Sequence, residues 1–260
     1  MKRNMLLAFL VTAAATTVSL VGAPAAWATV ECRYSIKPGA GLEPIPVLPP
    51  PPGPQPNQVI YVSGVTIASP YQAAFEAQQP QWSVVGVRSA RGTDYNLALR
   101  DCDWGRRAFS TLSDVPVDFI AVDGNQPMPG RMSATVSNAT DRVGTFALEY
   151  STGGPILEPG TSQDLLIRGT PALVRDVYVP AGGTAVVSLR LVSGDADLAV
   201  VTSTSDTWLA SRAQAIQTSS QPGLTEERVL LTAPVGSLGQ TFGVVVVNNA
   251  SLTEATLQRF

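Results

Sequence analysis

From residue 58 to the end, short apolar runs alternate with Gly, Pro, Asp or Asn. Runs of roughly four to eight residues between turn formers are typical of β-strands, and their close spacing is typical of β-sandwiches. The strands predicted in the first half are WSVVGV (82–87), YNLAL (95–99), VDFIAV (117–122), MSATV (132–136) and FALEY (146–150). Those predicted from 175 to 258 are RDVYV, AVVSLRLV, DLAVV, RVLLTA, FGVVVV and EATLQ. The pattern predicts an all-β protein.

One motif occurs twice. GTDYNLAL places Asp94 before an apolar strand, and SGDADLAVV places Asp195 in the same position, 101 residues later. Farther along, FIAVDGN (119–125) is similar to VVVVNNA (244–250), 125 positions on, which implies about 24 extra residues in the second half. The polar segment WLASRAQAIQTSSQPGLTEE supplies them. Self-similarity in a fixed order indicates a duplicated unit, so we predict two tandem β-sandwich domains.

The predicted organisation has five parts. They are a signal peptide (1–28), a Pro-rich segment (29–57), the first sandwich (58–151), a Gly/Pro/Ser linker (152–163) and the second sandwich (164–260). Because each copy of the motif sets a strand in its own sandwich, we expect the two domains to unfold separately. On this view Leu198→Ala destabilises the second domain and leaves the first unchanged.

The first 28 residues have the pattern of a secretion signal. Two basic residues precede an apolar stretch, and Ala26 and Ala28 form a small-x-small cleavage site. A retained membrane anchor is the alternative, which Gly22 and Pro24 disfavour because they break a helix. We therefore expect a secreted, extracellular protein with no membrane span in the mature chain.

The segment before the first sandwich contains eight prolines between residues 44 and 56. Such a segment favours polyproline II, so it is either a reach-extending stalk, a ligand for a Pro-binding groove or a solvated tail. The two cysteines, Cys32 and Cys102, are an even pair in an oxidising compartment, and we predict a disulfide between them. A redox site is the alternative, but the C-x-x-C spacing that favours one is missing.

Composition narrows the function classes. The chain has no histidine, which excludes Ser-His-Asp or Cys-His catalysis and histidine-ligated zinc. After the signal the only lysine is Lys37, in the Pro-rich segment, so lysine-based nucleophilic catalysis is disfavoured. The remaining 15 basic and 20 acidic side chains give a net charge of −5. An acidic chain without a basic face does not suit nucleic acid.

Paired carboxylates and aromatic side chains are the candidate functional groups. Asp195 and Asp197 are two positions apart on an extended segment, so they share a face and suit a turn cap, a calcium site or, least, a catalytic pair. We expect no cofactor, with calcium as the one alternative, and favour turn capping as the role of this pair. Trp104 and Trp208 each follow their motif strand and are candidate ligand contacts, with packing over the Cys102 disulfide as the alternative for Trp104.

The segments VYVPAGG (177–183), SGDADLAVV (193–201) and FGVVVV (242–247) resemble the bacterial pre-peptidase C-terminal domain. The first half is similar to a divergent copy of it, through GTDYNLAL and VDFIAVDGN. This resemblance implies two jelly-roll-like sandwiches of the kind attached to secreted hydrolases, but it covers no catalytic domain.

Two functions follow as hypotheses. The first is a secreted, non-catalytic module that binds or stabilises an extracellular protein or glycan. The second is a glycan-directed hydrolase that uses carboxylates only, since glycoside hydrolysis requires no other side chain.

Overall fold

The structure is a computed structural model that describes residues 55–67, 69–76, 80–101, 107–113, 115–125, 131–140, 142–203, 208–221 and 226–260. Strands dominate, and the one helical segment in these ranges is a 3-10 turn at Arg212–Gln214. No helix in the described part of the chain is long and apolar enough to cross a bilayer. The predicted all-β class is confirmed.

The described first half of the chain forms eight strands in two sheets. The strands are β1 (Ile60–Ser63), β2 (Tyr71–Glu76), β3 (Trp82–Ser89), β4 (Tyr95–Asp101), β5 (Arg107–Ser110), β6 (Val117–Asp123), β7 (Arg131–Asn138) and β8 (Thr145–Thr152). Sheet A has the order β2-β7-β4-β5, and sheet B contains β1-β8-β3-β6. All neighbours are antiparallel. This is the strand order of an eight-stranded jelly roll.

The second half repeats this order. Its strands are β9 (Ser162–Arg168), β10 (Ala172–Val179), β11 (Thr184–Ser193), β12 (Ala196–Val201), β13 (Leu209–Ser211), β14 (Gln217–Ser219), β15 (Glu226–Thr232), β16 (Gln240–Asn248) and β17 (Leu252–Arg259). Sheet C has the order β10-β16-β12-β14, and sheet D has the order β9-β17-β11-β15. If β13 is set aside, C corresponds to A and D corresponds to B, strand by strand. The prediction of two jelly-roll-like sandwiches is confirmed.

Strand β13 is the exception, because it belongs to the sheet of the other sandwich. It pairs with β6 through Leu209 and Val122 and becomes the fifth strand of sheet B. It lies in an insertion whose length follows from the strand pairing. Leu97 pairs with Ser110, 13 positions on, whereas Leu198 pairs with Ser219, 21 positions on, so the second half has eight more residues here. Part of the predicted polar insertion thus completes the first sandwich.

The topology corrects one predicted correspondence. Asp94 and Asp195 do precede equivalent strands, β4 and β12, but FIAVDGN and VVVVNNA lie in β6 and β16, which are not equivalent. The counterpart of β6 is β15, and that of β16 is β7. The two segments look alike because β6 and most of β16 are buried on both faces.

That double burial arises because sheets B and C pack against each other. Each sandwich has its own apolar core, and a third core lies between them. In this third core Trp82 of β3 is fully buried on Gly243 of β16, where an added Cβ would stand 2.8 Å from the indole ring. Gly86 allows a similarly close approach of β3 to Pro171, at 3.0 Å from an added Cβ. The four sheets stack in the order A, B, C, D.

The segment between β8 and β9, predicted as a linker, packs on the second sandwich. Leu157 is fully buried in the second core, and its N–H donates to the carbonyl of Asp176 at 3.0 Å. The connection therefore gives the two sandwiches little freedom to separate.

Candidate functional site

The repeated aspartates lie in equivalent turns of the two sandwiches. The main-chain carbonyl of Asp94 accepts a hydrogen bond from the N–H of Ala139 at 2.9 Å. That of Asp195 accepts one from the N–H of Asn249 at 3.0 Å. Each donor directly follows the last residue of an equivalent strand, β7 or β16. The motif therefore closes the same end of both sandwiches.

A buried carboxylate near each turn is duplicated as well, and the sequence analysis missed it. Asp118 of β6 accepts hydrogen bonds from Ser110 Oγ at 2.6 Å and from the N–H two residues beyond that serine at 3.4 Å. Glu227 of β15 accepts from the Ser219 hydroxyl and from the N–H two residues beyond it, at 2.7 Å. In each half the serine stands eight positions before the acid. That shared spacing is the sequence signal that could have revealed the pair.

These two acids are deeply buried. Asp118 is 3% exposed and Glu227 is fully buried. Burial raises the pKa of Asp118, while hydrogen bonds from Ser110 and Leu112 oppose the rise. Among the described residues, Oδ2 of Asp118 has no hydrogen-bond partner. Each acid is held by the strand and loop that precede it, so its first role is to fix that loop.

Asp197, the second carboxylate of the motif, faces the first sandwich. It is 7% exposed, and its Oδ2 accepts from Asn249 Nδ2 at 2.9 Å and from Arg212 Nη2 at 3.3 Å. Burial raises the pKa of Asp197, and the Asn249 bond and the Arg212 charge oppose the rise. Arg212 Nη1 also donates to the carbonyl of Val117 in β6, at 2.7 Å. One guanidinium thus joins the two sandwiches.

The candidate calcium site is therefore only partly assembled. Asp195 is exposed in the turn, whereas Asp197 is buried against Arg212. Within the described ranges, no three His, Cys, Asp or Glu side chains come together to hold a metal ion. A carboxylate that already faces a guanidinium suits an ion pair better than a cation site. Calcium binding by Asp195 and Asp197 stays a prediction.

The aromatic and cysteine candidates have different outcomes. Trp208 is 7% exposed and packs in the core of the first sandwich, beside β6, where Asp123 N–H donates to its carbonyl at 2.8 Å. The indole therefore has little surface to offer the ligand predicted for it. Trp104, Cys32 and Cys102 lie outside the described residues, so that ligand contact and the disulfide remain predictions.

A second polar cluster lies at the opposite end of the interface. Asp176 of β10 accepts from the N–H of Trp82 at 3.0 Å and from Asn125 Nδ2 at 3.5 Å. Asn125 Nδ2 also donates to Asp123 at 3.0 Å. Burial raises the pKa of Asp176, and the Trp82 hydrogen bond opposes the rise. The apolar interface is thus flanked by a polar contact at each end.

A cavity of about 370 Å³ lies beside the first motif. Its polar lining includes Arg91, Asp94, Ser113 and Thr140, from three loops at one end of the sandwich. The charge of Asp94 is also close enough to Asp118 to raise the pKa of that carboxyl. A carboxylate here meets a space that can hold a small ligand.

Neither a model of a known protein family nor a curated protein matches the chain. Its function therefore has to be inferred from the geometry of the described residues.

Proposed function

We propose that this protein is a secreted, non-catalytic module that binds or stabilises a partner at the cell surface or in the extracellular medium. The observation that supports this proposal most is that the buried carboxylates make structural contacts within the protein. Asp118 and Glu227 hold loops, Asp176 holds the backbone of Trp82, and Asp197 holds Arg212. A carboxylate engaged in this way is not free to attack or protonate a substrate.

The composition supports the same conclusion. Without histidine, and with lysine confined to the Pro-rich segment after the signal, the usual nucleophile and base pairs cannot be built. The resemblance to the pre-peptidase C-terminal domain is also to a module that accompanies enzymes. The partner class that fits is an extracellular protein or glycan, and an acidic chain disfavours nucleic acid.

The cavity beside Asp94 is the observation that favours the second function, a carboxylate-only hydrolase acting on glycans. Asp94 reaches the cavity, and Asp118, whose pKa burial raises, lies near it. Glycoside hydrolysis requires two carboxyl groups, one that supplies a proton and one that acts as base or nucleophile. The carboxyl of Asp118 already holds the loop before β6, so the non-catalytic function accounts for it without a reaction.

A substrate screen tests the choice. The mature protein is incubated with a panel of glycans and peptides, alongside Asp94→Asn, with Asp164→Asn on the outer edge strand β9 as the matched control. We expect no turnover from any of the three proteins. Glycan turnover that Asp94→Asn abolishes and Asp164→Asn retains would establish the hydrolase instead.

A further inference from the structure

One end of the second sandwich carries an apolar apex. It is formed by two neighbouring loops, 180–183 between β10 and β11 and 234–239 between β15 and β16. Val235 is 92% exposed and Leu238 is 99% exposed, and Tyr178 beside them is 46% exposed. Side chains so exposed have almost no neighbours, so the apex projects from the surface and is not a concave pocket.

Hydrogen bonds tie the two loops of the apex to each other and to Tyr178. The Tyr178 hydroxyl donates to the carbonyl of Leu238 at 3.0 Å, and Ser237 Oγ donates to that of Pro234 at 2.8 Å. Gly182 N–H also donates to the Pro234 carbonyl, at 3.2 Å, and so joins the two loops. Gly239 N–H donates to Ser237 Oγ at 3.2 Å. These bonds hold the two loops in one arrangement, so Val235 and Leu238 project from a fixed support.

The apex is also uncharged over a long stretch of chain. Residues 177–189 and 229–253, which enter and leave the two loops, contain no Asp, Glu, Lys or Arg. The remainder of the chain is acidic, with a net charge of −3 for the full sequence. A surface of this composition does not suit an oppositely charged partner, because no charge is available to guide one.

The N-terminal segment attaches at the same end of the molecule. Asn57 is bonded to the end of β8, where its N–H donates to the carbonyl of Tyr150 at 2.8 Å. The end of β8 lies beside the start of β3, and Trp82 there bonds to Asp176 of β10, the strand that leads into the apex. The chain before residue 55 therefore joins the sandwiches on the side that carries the apex.

From these observations we propose that the apex docks on a lipid surface, with Val235 and Leu238 inserted among the headgroups. A small ligand would need a concave site, and a stable protein interface buries about 800 Å² on each partner, far more than two loop tips provide. Shallow insertion needs only a few apolar side chains that project from the surface. Tyr178 lies beside these two residues and is partly exposed, and tyrosine side chains favour the membrane interface. Because the apex is uncharged, it suits zwitterionic lipid.

This proposal rests on the proposed function, since it names the surface at which a non-catalytic module would act. Vesicle binding is measured without any substrate, so its failure would leave the outcome of the substrate screen unchanged.

The test is flotation of the mature protein with phosphatidylcholine vesicles. We expect binding that Val235→Ser with Leu238→Ser weakens at least tenfold, since burial of one aliphatic side chain corresponds to roughly a tenfold change. The control pair, Val143→Ser with Leu166→Ser, changes a valine and a leucine that are each 57% exposed elsewhere, and it should bind like the wild type. Anionic vesicles should bind no better than zwitterionic ones, because the chain is acidic.

A second variant separates insertion from damage to the fold. Leu238→Trp should increase vesicle binding several-fold, because tryptophan favours the interface. Wild-type protein that does not float, or apex and control pairs that bind equally, would overturn the proposal. So would an apex pair that only dissociates a dimer in sedimentation experiments, since a second copy would then be the occupant.

Discussion

At the residue scale, Arg212 joins the sandwiches through an ion pair with Asp197 and a hydrogen bond to the carbonyl of Val117. Its side chain is 12% exposed and that of Asp197 is 10% exposed. Arg212→Met would leave Asp197 buried without its cation, and breaking such a pair costs about 3 kcal/mol of the free energy of unfolding. Denaturant unfolding measures this loss. Asp197→Asn combined with Arg212→Met should cost less than the sum of the two single changes, because they share one interaction.

The control is the exposed ion pair of Arg228 and Glu226, with side chains 63% and 35% exposed. Arg228→Met should have little measurable effect, because water screens such pairs. Equal effects of Arg212→Met and Arg228→Met would contradict the role given to Arg212.

The buried acids predict a dependence of stability on pH. Burial raises the pKa values of Asp118, Glu149, Asp176 and Asp197 above their usual values. A carboxyl with a raised pKa in the folded state stabilises the fold below its unfolded value of about 4, and this contribution is lost as the pH rises through the folded pKa. The free energy of unfolding should therefore fall from about pH 4 toward neutrality.

Asp118→Asn isolates one of these groups. Since Oδ2 of Asp118 has no hydrogen-bond partner among the described residues, the neutral amide should reduce the loss of stability between acidic and neutral pH. Asp164→Asn, at an exposed position, is the control. Identical pH profiles of wild type and Asp118→Asn would show that this carboxyl does not contribute.

The sequence predicted the residues of the motif better than their roles. Asp94 and Asp195 could be located because each begins a strand after a Gly turn, a local pattern. The pairing of Asp197 with Arg212 could not, because Arg212 lies in an insertion with no counterpart in the first half. The Ser110–Asp118 and Ser219–Glu227 pairs could have been found only if the two halves had been aligned correctly both before and after the insertion.

At the element scale, β13 makes the first sandwich depend on the second half of the chain. Trp208 enters the first core directly before β13, and Leu209 packs beside it. Trp208→Ala should lower the free energy of unfolding by about 3 to 5 kcal/mol, as truncation of a buried aromatic does. Ile216→Ala, 57% exposed near the end of the same insertion, should change it little. Thermal unfolding of both variants distinguishes these outcomes, and similar melting temperatures would contradict the packing of Trp208.

The mistaken alignment of β6 with β16 shows why the repeat could be recognised in the sequence although not all of its strands could be matched. An amphipathic strand alternates in burial, as β15 does, and its pattern identifies it. Strands β6 and β16 are apolar on both faces because each belongs to an interface sheet. Their similarity reflects burial by the partner sandwich, which no pattern within one domain reveals.

At the scale of the whole molecule, the sandwiches pack through sheets that do not correspond. Sheet B of the first contacts sheet C of the second, although C is the counterpart of A, so the arrangement could in principle continue along a row. The outer faces, however, differ from the interface faces at equivalent positions. Strand pairing places Thr135 of sheet A where sheet C has Val245, and Arg228 of sheet D where sheet B has Phe119. At these positions the outer faces are therefore more polar than the faces that meet in the interface.

The shared core also changes the unfolding expected from the sequence. Two domains on a short polar linker would melt separately, but Trp82, β13 and Arg212 each bind the sandwiches to one another. Calorimetry of the mature protein tests this most directly. We predict one transition with equal calorimetric and van't Hoff enthalpies. Leu198→Ala should shift this whole transition to lower temperature and reduce the free energy of unfolding by about 2 to 5 kcal/mol. Two transitions, of which Leu198→Ala shifts only one, would show that the sandwiches are independent.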